Sequence, residues 1–264
     1  MDNTILKYPG INAFLLQGKK IAITGASSGI GMSCALVCAS LGAELLLIGR
    51  DKDRLYLVAD HASDYGLAHY PVSVDLREAG AVKKVLENHV AKHGPLHGFI
   101  HSAGIEQTMP LTFLKKEQFD ELFSVNFFSG IELAQAAAMK GAFDVSGASF
   151  VFISSILSVN AQRNALFYAA SKGALNAAMR TLALELAPKK IRVNSVLPSV
   201  IETKLMRTLF EKLPEDALAK RRNEHPLGFG NPVDVAYACS YLLSDAARWI
   251  TGTELIIDGG FHCK

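Results

Sequence analysis

Short apolar runs recur along this chain at intervals that leave room for one helix between each pair. "KIAIT" (20–24), "AELLLIG" (43–49), "LAHYPVSVD" (67–75), "HGFIHSAG" (97–104), "ASFVFISS" (148–155), "IRVNSVLP" (191–198) and "TELIIDGG" (253–260) predict strands. They are apolar continuously rather than alternately, the pattern of strands covered on both faces. The stretches 29–41, 53–64, 78–92, 117–139, 166–187 and 232–244 have the length and composition of helices. Strand–helix alternation of this kind predicts an α/β fold with a doubly wound parallel sheet of about seven strands, right-handed crossovers and helices on both faces. No Pro/Gly/Ser linker, repeat or low-complexity segment interrupts it, so 1–264 reads as one domain.

Composition narrows the setting. Half of the 264 residues are hydrophobic, which predicts a sizeable core rather than disorder. The formal charge of +2 has no long basic block behind it, so no nucleic-acid partner is expected. The first 20 residues contain Lys7 and no unbroken apolar run of signal-peptide length. No segment approaches the ~20 apolar residues of a membrane span, so the expectation is a cytoplasmic protein without a membrane partner. Cys34 and Cys38 share a helix face, but Cys239 and Cys263 supply no second closely spaced ligand pair. The four read as small buried hydrophobes, and no metal is expected.

Ligands of open parallel sheets collect outside the carboxyl ends of the strands, and the chain's motifs fall there. "TGASSGIG" (24–31) joins the first strand to the first helix. Gly25 permits a tight turn, Gly29 leaves space for a phosphate, and Gly31 lets the helix pack close on the sheet. The helix N-terminus then offers free N–H groups to a pyrophosphate. Ser27, Ser28 and Ile30 complete the loop as candidate cofactor contacts. The second strand ends "LIGRDKDR", with no carboxylate at its tip and Arg50 immediately after. A guanidinium suits the 2′-phosphate of NADP, so NADP(H) is favoured over NAD(H). Asp51 leaves open a surface ion pair for Arg50.

"FYAASKGAL" (167–175) sets Tyr168 and Lys172 one turn apart on a single helix face. By themselves they fit either a buried Tyr with a snorkelling Lys or a reactive phenol–ammonium pair. Ser155 lies thirteen residues before Tyr168 at a strand end, where its hydroxyl can face that pair across the cleft. With this spacing the chain resembles the short-chain dehydrogenase/reductase family, whose fold is of the Rossmann type. The likeness runs from about Gly18 to Gly260. It takes in the glycine loop, Asp75–Leu76, "SAG" (102–104), Asn126 in "SVNFFSG", Ser155, the YxxxK pair, Asn194 to Pro198, Thr203 and the tail "PLGFGNPVDVAYACSYLLSDAARWITGTELIIDGG". That tail looks most like bacterial 3-oxoacyl-[acyl-carrier-protein] reductases.

The resemblance implies roles for matching positions. Tyr168 is the general acid in reduction and base in oxidation, Lys172 lowers its pKa and binds the nicotinamide ribose, and Ser155 holds the substrate oxygen. Asn126 holds a water linked to Lys172. Asp75, Leu76, Ser102, Ala103, Gly104, Ile201 and Thr203 join the cofactor contacts. The implied reaction is NADP(H)-dependent reduction of a small-molecule carbonyl to a secondary alcohol. Oxidation of a sugar, polyol or steroid alcohol is the alternative; a third reading is NADP binding without turnover, although such relatives usually lose the Tyr or Lys. The chain departs from the family where His101 and Ser102 replace two amides, at "SILSVN", and where Ser199 replaces a Gly. His101 reads as a satisfied structural histidine. Residues 199–230, broken by Pro214 and Pro226, read as a substrate lid. Its basic cluster, Lys220, Arg221 and Arg222, suits either an acyl-carrier protein or a solvated helix face. Helices 117–139 and 166–187 are apolar on several faces, which with the resemblance predicts a homodimer or homotetramer.

Overall fold

The computed structural model describes residues 10–136, 139, 141–211 and 214–263, without the side chains of Leu205 and Leu209. Readings that touch 1–9 (Lys7 among them), 137–138 of the helix 117–139, and 212–213 of the lid fall partly outside the described residues. Seven strands form one sheet: β1 Lys20–Thr24, β2 Glu44–Gly49, β3 His69–Ser73, β4 Gly98–His101, β5 Ala148–Ile153, β6 Ile191–Pro198 and β7 Glu254–Ile257. All pair in parallel in the order β3-β2-β1-β4-β5-β6-β7. The order reverses between β1 and β4, where Thr24 stands beside His101. A cleft opens at such a switch point.

The continuous apolar runs divide residue by residue between the two faces, as the two-residue period of a strand requires. Ile21, Ile23, Leu45, Leu47 and Val151 pack on one side, with α1 (Gly29–Ser40), α2 (Lys52–Ser63) and α9 (Pro232–Leu243). Ala22, Leu46, Ile48, Phe99, Phe150 and Phe152 pack on the other, with α3 (Ala81–His93), α5 (Ser129–Gln135) and α6 (Leu166–Leu186). Each fully buried leucine contributes roughly 1.5–3 kcal/mol, which is why both faces must be covered. Cys34, Cys38 and Cys239 are buried in the first layer, where the Cys34 and Cys239 thiols meet between α1 and α9. No helix among the described residues is long and apolar enough to cross a membrane.

Three expectations need correction. The helix expected over 117–139 is three pieces: α4 (Lys116–Phe123), one π-helical turn (Ser124–Phe128) and α5. The wider turn carries Asn126 with its side chain fully buried. Such bulges alter the facing of a helix without ending it. The helix expected from 78 begins at Ala81, because Gly80 before it holds φ at +78°. The strand predicted over 97–104 stops at His101, since the Ala103 N–H turns to the Thr24 hydroxyl (3.2 Å).

Within the lid segment lie α7 (Lys204–Phe210) and α8 (Glu215–Asn223), the latter preceded by Pro214.

Candidate active site

The turn from β1 into α1 is built around three glycines that no other residue could replace without displacement. A Cβ on Gly31 would lie 2.3 Å from the Gly25 carbonyl oxygen, and one on Gly25, where φ is +69°, 2.8 Å from the Ala103 nitrogen. Gly29, at φ +54°, leaves 3.2 Å between a Cβ position and the Thr203 methyl. Ser28 precedes α1 without capping it through its side chain, so the first-turn N–H groups stay open to a phosphate. Ser27 Oγ lies beside the bare face of Gly49, 3.5 Å from where a Cβ would sit. Ile30, Ser102, Gly104, Ile201 and Thr203 line the adjoining cleft, and Leu76 is buried beneath the tip of β3. The residues of this cradle fit a dinucleotide pyrophosphate, which the α1 N-terminus would hold.

Arg50 does not pair with Asp51. Asp51 caps α2, accepting the Arg54 N–H (3.1 Å), and forms an ion pair with the Arg54 side chain at 3.0 Å. Among the described residues no ion pair engages Arg50, which is exposed at the tip of β2. Asp75 is held by Arg77, whose side-chain and backbone hydrogen bonds, with Arg50 nearby, bring its carboxyl down to about 2. It is ionised at any working pH.

The proposed catalytic side chains that reach the cleft come from two segments at the carboxyl end of the sheet. Ser155 follows β5 and caps the short turn Ile156–Ser158, its Oγ accepting the Leu157 N–H (3.2 Å). Tyr168 and Lys172 stand on the first turns of α6. The three line one cleft of about 750 Å³ with Ser199 and Ile201 from the end of β6. Lys172 is almost fully buried and donates to the Ile153 carbonyl at 2.8 Å, with its ammonium 5.8 Å from the centre of the Tyr168 ring. Burial brings that ammonium down to about 8, while the Glu106 carboxylate pulls the other way.

Here the structure departs from the expectation of a depressed tyrosine. Burial, then the Glu106 carboxylate, hold the Tyr168 phenol above its ordinary value, and a hydrogen bond with Ser155 offsets them only in part. In this state the ammonium is turned to Ile153, so its attraction for a phenolate does not dominate. The proton is therefore held firmly until an acceptor arrives.

Asn126 does not face the cleft. Its Oδ1 accepts the Ile105 N–H (2.8 Å), and its Nδ2 donates to the Ile105 carbonyl (3.0 Å) and to Ser171 Oγ (3.2 Å). Gly104 sits between this amide and the lysine: a Cβ there would lie 3.4 Å from Asn126 Oδ1 and 3.5 Å from Lys172 Nζ. His101 is fully buried and satisfied at both nitrogens. Thr24 Oγ1 lies 2.9 Å from Nδ1, and Nε2 lies 3.3 Å from the Asn126 carbonyl. Because the Asn126 carbonyl can only accept, the ring's proton sits on Nε2, and the Thr24 hydroxyl, which accepts from Ala103, donates to Nδ1. Burial, then Lys172, bring His101 down to about 3, so it is neutral.

The sequence reading missed two features. Ser199 has a partner in the lid's end: its hydroxyl donates to His225 Nε2 (2.8 Å), and His225 Nδ1–H donates to the Arg221 carbonyl (3.0 Å). Glu106 enters the cleft beside Tyr168, Lys172 and Arg221. Only its place directly after "SAGI" could have flagged it. Of the basic cluster, Arg222 pairs with Glu202 at 3.1 Å, while Lys220 and Arg221 line the cleft. Among the described residues no group of three or more His, Cys, Asp or Glu side chains is placed to hold a metal ion.

A glycine cradle at the switch point of a parallel sheet, facing a Ser–Tyr–Lys constellation, defines a nicotinamide-dependent oxidoreductase acting on a small molecule. A family model described as enoyl-(acyl carrier protein) reductase matches residues 25–262. The chain is 33% identical to the 3-oxoacyl-[acyl-carrier-protein] reductase FabG of Thermotoga maritima over 93% of its own length and 98% of that protein's. It is likewise 33% identical to an L-xylulose reductase of Caenorhabditis elegans, over 92% and 95%. The structure of L-sorbose reductase from Gluconobacter frateurii, complexed with NADPH and L-sorbose, superposes with a TM-score of 0.85 at 26% identity, covering 94% of this chain and 98% of that one. The protein belongs to the short-chain dehydrogenase/reductase family and is an NAD(P)-dependent dehydrogenase/reductase.

Proposed function

We propose that this protein is an NADP(H)-dependent carbonyl reductase of the cytoplasm that forms secondary alcohols, carried by one domain with residues 199–230 as its substrate lid. The observation that carries the reading is the convergence of Ser155, Tyr168 and Lys172 in one cleft beside the glycine cradle. A bound nicotinamide supplies or accepts the hydride. The Ser155 hydroxyl holds the substrate oxygen where negative charge builds, an arrangement worth up to a few kcal/mol. Tyr168 donates its proton to that oxygen in reduction and takes it back in oxidation. Lys172 would bind the nicotinamide ribose, and its positive charge, once swung from Ile153, would loosen the phenol's hold on its proton. Asn126 positions the Ile105–Glu106 wall and keeps Lys172 in place across Gly104. Arg50, free of Asp51, supports NADP(H) over NAD(H).

Two substrate classes remain in view. A 3-oxoacyl thioester follows from the likeness to the Thermotoga protein, but the basic cluster meant for a carrier protein is split between Glu202 and the cleft. A sugar or polyol is supported by the xylulose and sorbose reductases and by the carboxylate of Glu106 in the cleft. Exposed Leu166 and Leu184 on α6 support a homodimer or homotetramer. The test is oxidation of NADPH against 3-oxoacyl thioesters, ketoses and diketones, followed with Tyr168→Phe. Loss of turnover by about 100- to 10,000-fold, with NADPH binding retained, is the expected result. A variant as active as its parent removes Tyr168 from the chemistry.

A further inference from the structure

We propose that Glu106 is the specificity-determining residue of the cleft, selecting hydroxylated ketones and polyols by accepting a hydrogen bond from a substrate hydroxyl near the reacting carbon. The inference rests on the reductase reading above and names the substrate class of that same site.

The backbone that carries this carboxylate is held in place. Asn126 clamps both backbone groups of Ile105, and Met109 N–H donates to the Asn164 carbonyl (2.7 Å), so residues 106–109 are pinned across the cleft mouth. Glu106 is open to solvent on the cleft side, yet among the described residues no ion pair within 4 Å engages it. Desolvation by the surrounding walls raises its carboxyl above the usual range, against the pull of Arg221 and Lys172. When a bound ligand displaces the cleft water, a carboxylate so placed is satisfied by a donor on that ligand.

The neighbours decide which donor. Arg163, Lys220 and Arg221 line the same cleft, so an ammonium ligand would meet three cations. A fatty-acyl chain brings no donor at all and would leave the carboxylate desolvated against methylenes. A neutral hydroxyl suits both the carboxylate and the basic wall. Glu106 lines the same cleft as Tyr168 and Lys172, which puts that hydroxyl in the pocket of the reacting carbonyl.

The experiment measures NADPH-dependent reduction of L-erythrulose, with hydroxyls on both sides of its carbonyl, and of 2,3-butanedione, with none. Wild type, Glu106→Gln and Glu106→Leu are compared, and the wild-type-to-variant ratio of kcat/KM for each ketone cancels their different reactivities. Glu106→Leu should cost L-erythrulose about 10- to 100-fold more than it costs the diketone, the range of a hydrogen bond to a charged group. Glu106→Gln, which keeps an acceptor oxygen, should fall between. Calorimetric binding of L-erythrulose to NADPH-loaded Tyr168→Phe should weaken by a similar factor when Glu106→Leu is added. Equal losses on both ketones, or unchanged binding, overturn the inference. A wild-type protein that reduces only the diketone overturns it too and leaves the reductase reading standing. One that binds NADPH and reduces neither ketone defeats that reading, and the inference with it.

Discussion

Replacing Asn126 by Ala separates two roles that a single asparagine has been given. In the structure the side chain makes three hydrogen bonds, at 2.8, 3.0 and 3.2 Å, to both backbone groups of Ile105 and to Ser171. Ser171 keeps a partner after truncation, because its hydroxyl donates to the Tyr168 carbonyl at 2.8 Å. Ile105 does not: among the described residues, its N–H and C=O lose their only side-chain partner inside a wall of the cleft. An unsatisfied buried group costs about 1–3 kcal/mol. Ile105 is half-buried, so water entering from the cleft recovers part of that. The expected loss is about 2–4 kcal/mol, or a fall in Tm of roughly 4–8 °C for a domain of this size. Thermal and urea unfolding of ligand-free protein measure it, with an unchanged m-value marking a simple loss of stability. Reductase kcat should fall as well, since the wall carrying Glu106 and the spacing at Gly104 depend on the same clamp. A variant within about 0.5 kcal/mol of wild type that has still lost activity would refute the clamp and return Asn126 to a water-holding role alone.

Two further outcomes follow from the charges around the cleft. Arg50→Ala should raise KM for NADPH by about 10-fold or more while moving KM for NADH little, whereas Arg54→Ala, which frees Asp51, should disturb α2 instead; equal effects of Arg50→Ala on both cofactors would remove the 2′-phosphate assignment. Lys172 titrates at about 8 in the folded chain, below its ordinary 10.5. Its ammonium is therefore lost as pH rises through about 8, and the reduction rate should fall there. Glu106→Gln removes a nearby negative charge and should move that limb to lower pH. The sign for stability is opposite to that of a paired lysine: between the folded and unfolded values the unfolded chain binds more protons, so stability rises with pH across that window. A pH–rate profile and melts of wild type and Lys172→Met check both, and a limb unmoved by Glu106→Gln would show that the two groups do not interact.

The sheet was legible because a strand covered on both faces writes itself as an unbroken apolar run, and "ELLLIG" or "SFVFI" admits little else at that length. Ser155, Tyr168 and Lys172 were legible because a strand end and the helix after it hold fixed positions in this topology. The π turn at Ser124–Phe128 was not. The apolar periodicity of 117–139 suits a straight helix equally well, and the bulge answers to a tertiary demand, the reach of Asn126 to Ile105. Asp51 was ambiguous for a different reason. "RDKDR" offers two arginines, and only the start of α2 at Lys52 decides that Asp51 caps the helix and takes Arg54. Glu106 carried no local signal at all, because its meaning depends on where the loop after β4 turns.

The replacement of the family's amide by His101 shows how such departures survive. Thr24, at the mouth of the glycine cradle, accepts from Ala103 and donates to one nitrogen of the ring; the other donates to the Asn126 carbonyl, and Asn126 in turn holds Ile105 and Ser171. Ser171 closes the chain on the Tyr168 carbonyl. One continuous set of hydrogen bonds thus joins the cradle to the helix turn bearing the phenol, and a neutral imidazole, with one acceptor and one donor at opposite ends, bridges a gap in it. The ring needs room that an amide does not. A Cβ on Gly130 would come within 2.8 Å of His101 Cδ2 and 3.1 Å of Phe152. His101 and Gly130 are therefore a matched pair, one on β4 and one on α5, and neither can be read correctly without the other. Since burial keeps the ring neutral down to about pH 3, the bridge does not change its donors across the range in which Lys172 titrates. The pH response of the site accordingly belongs to the cleft-facing groups, and the scaffold behind them stays fixed while they change charge.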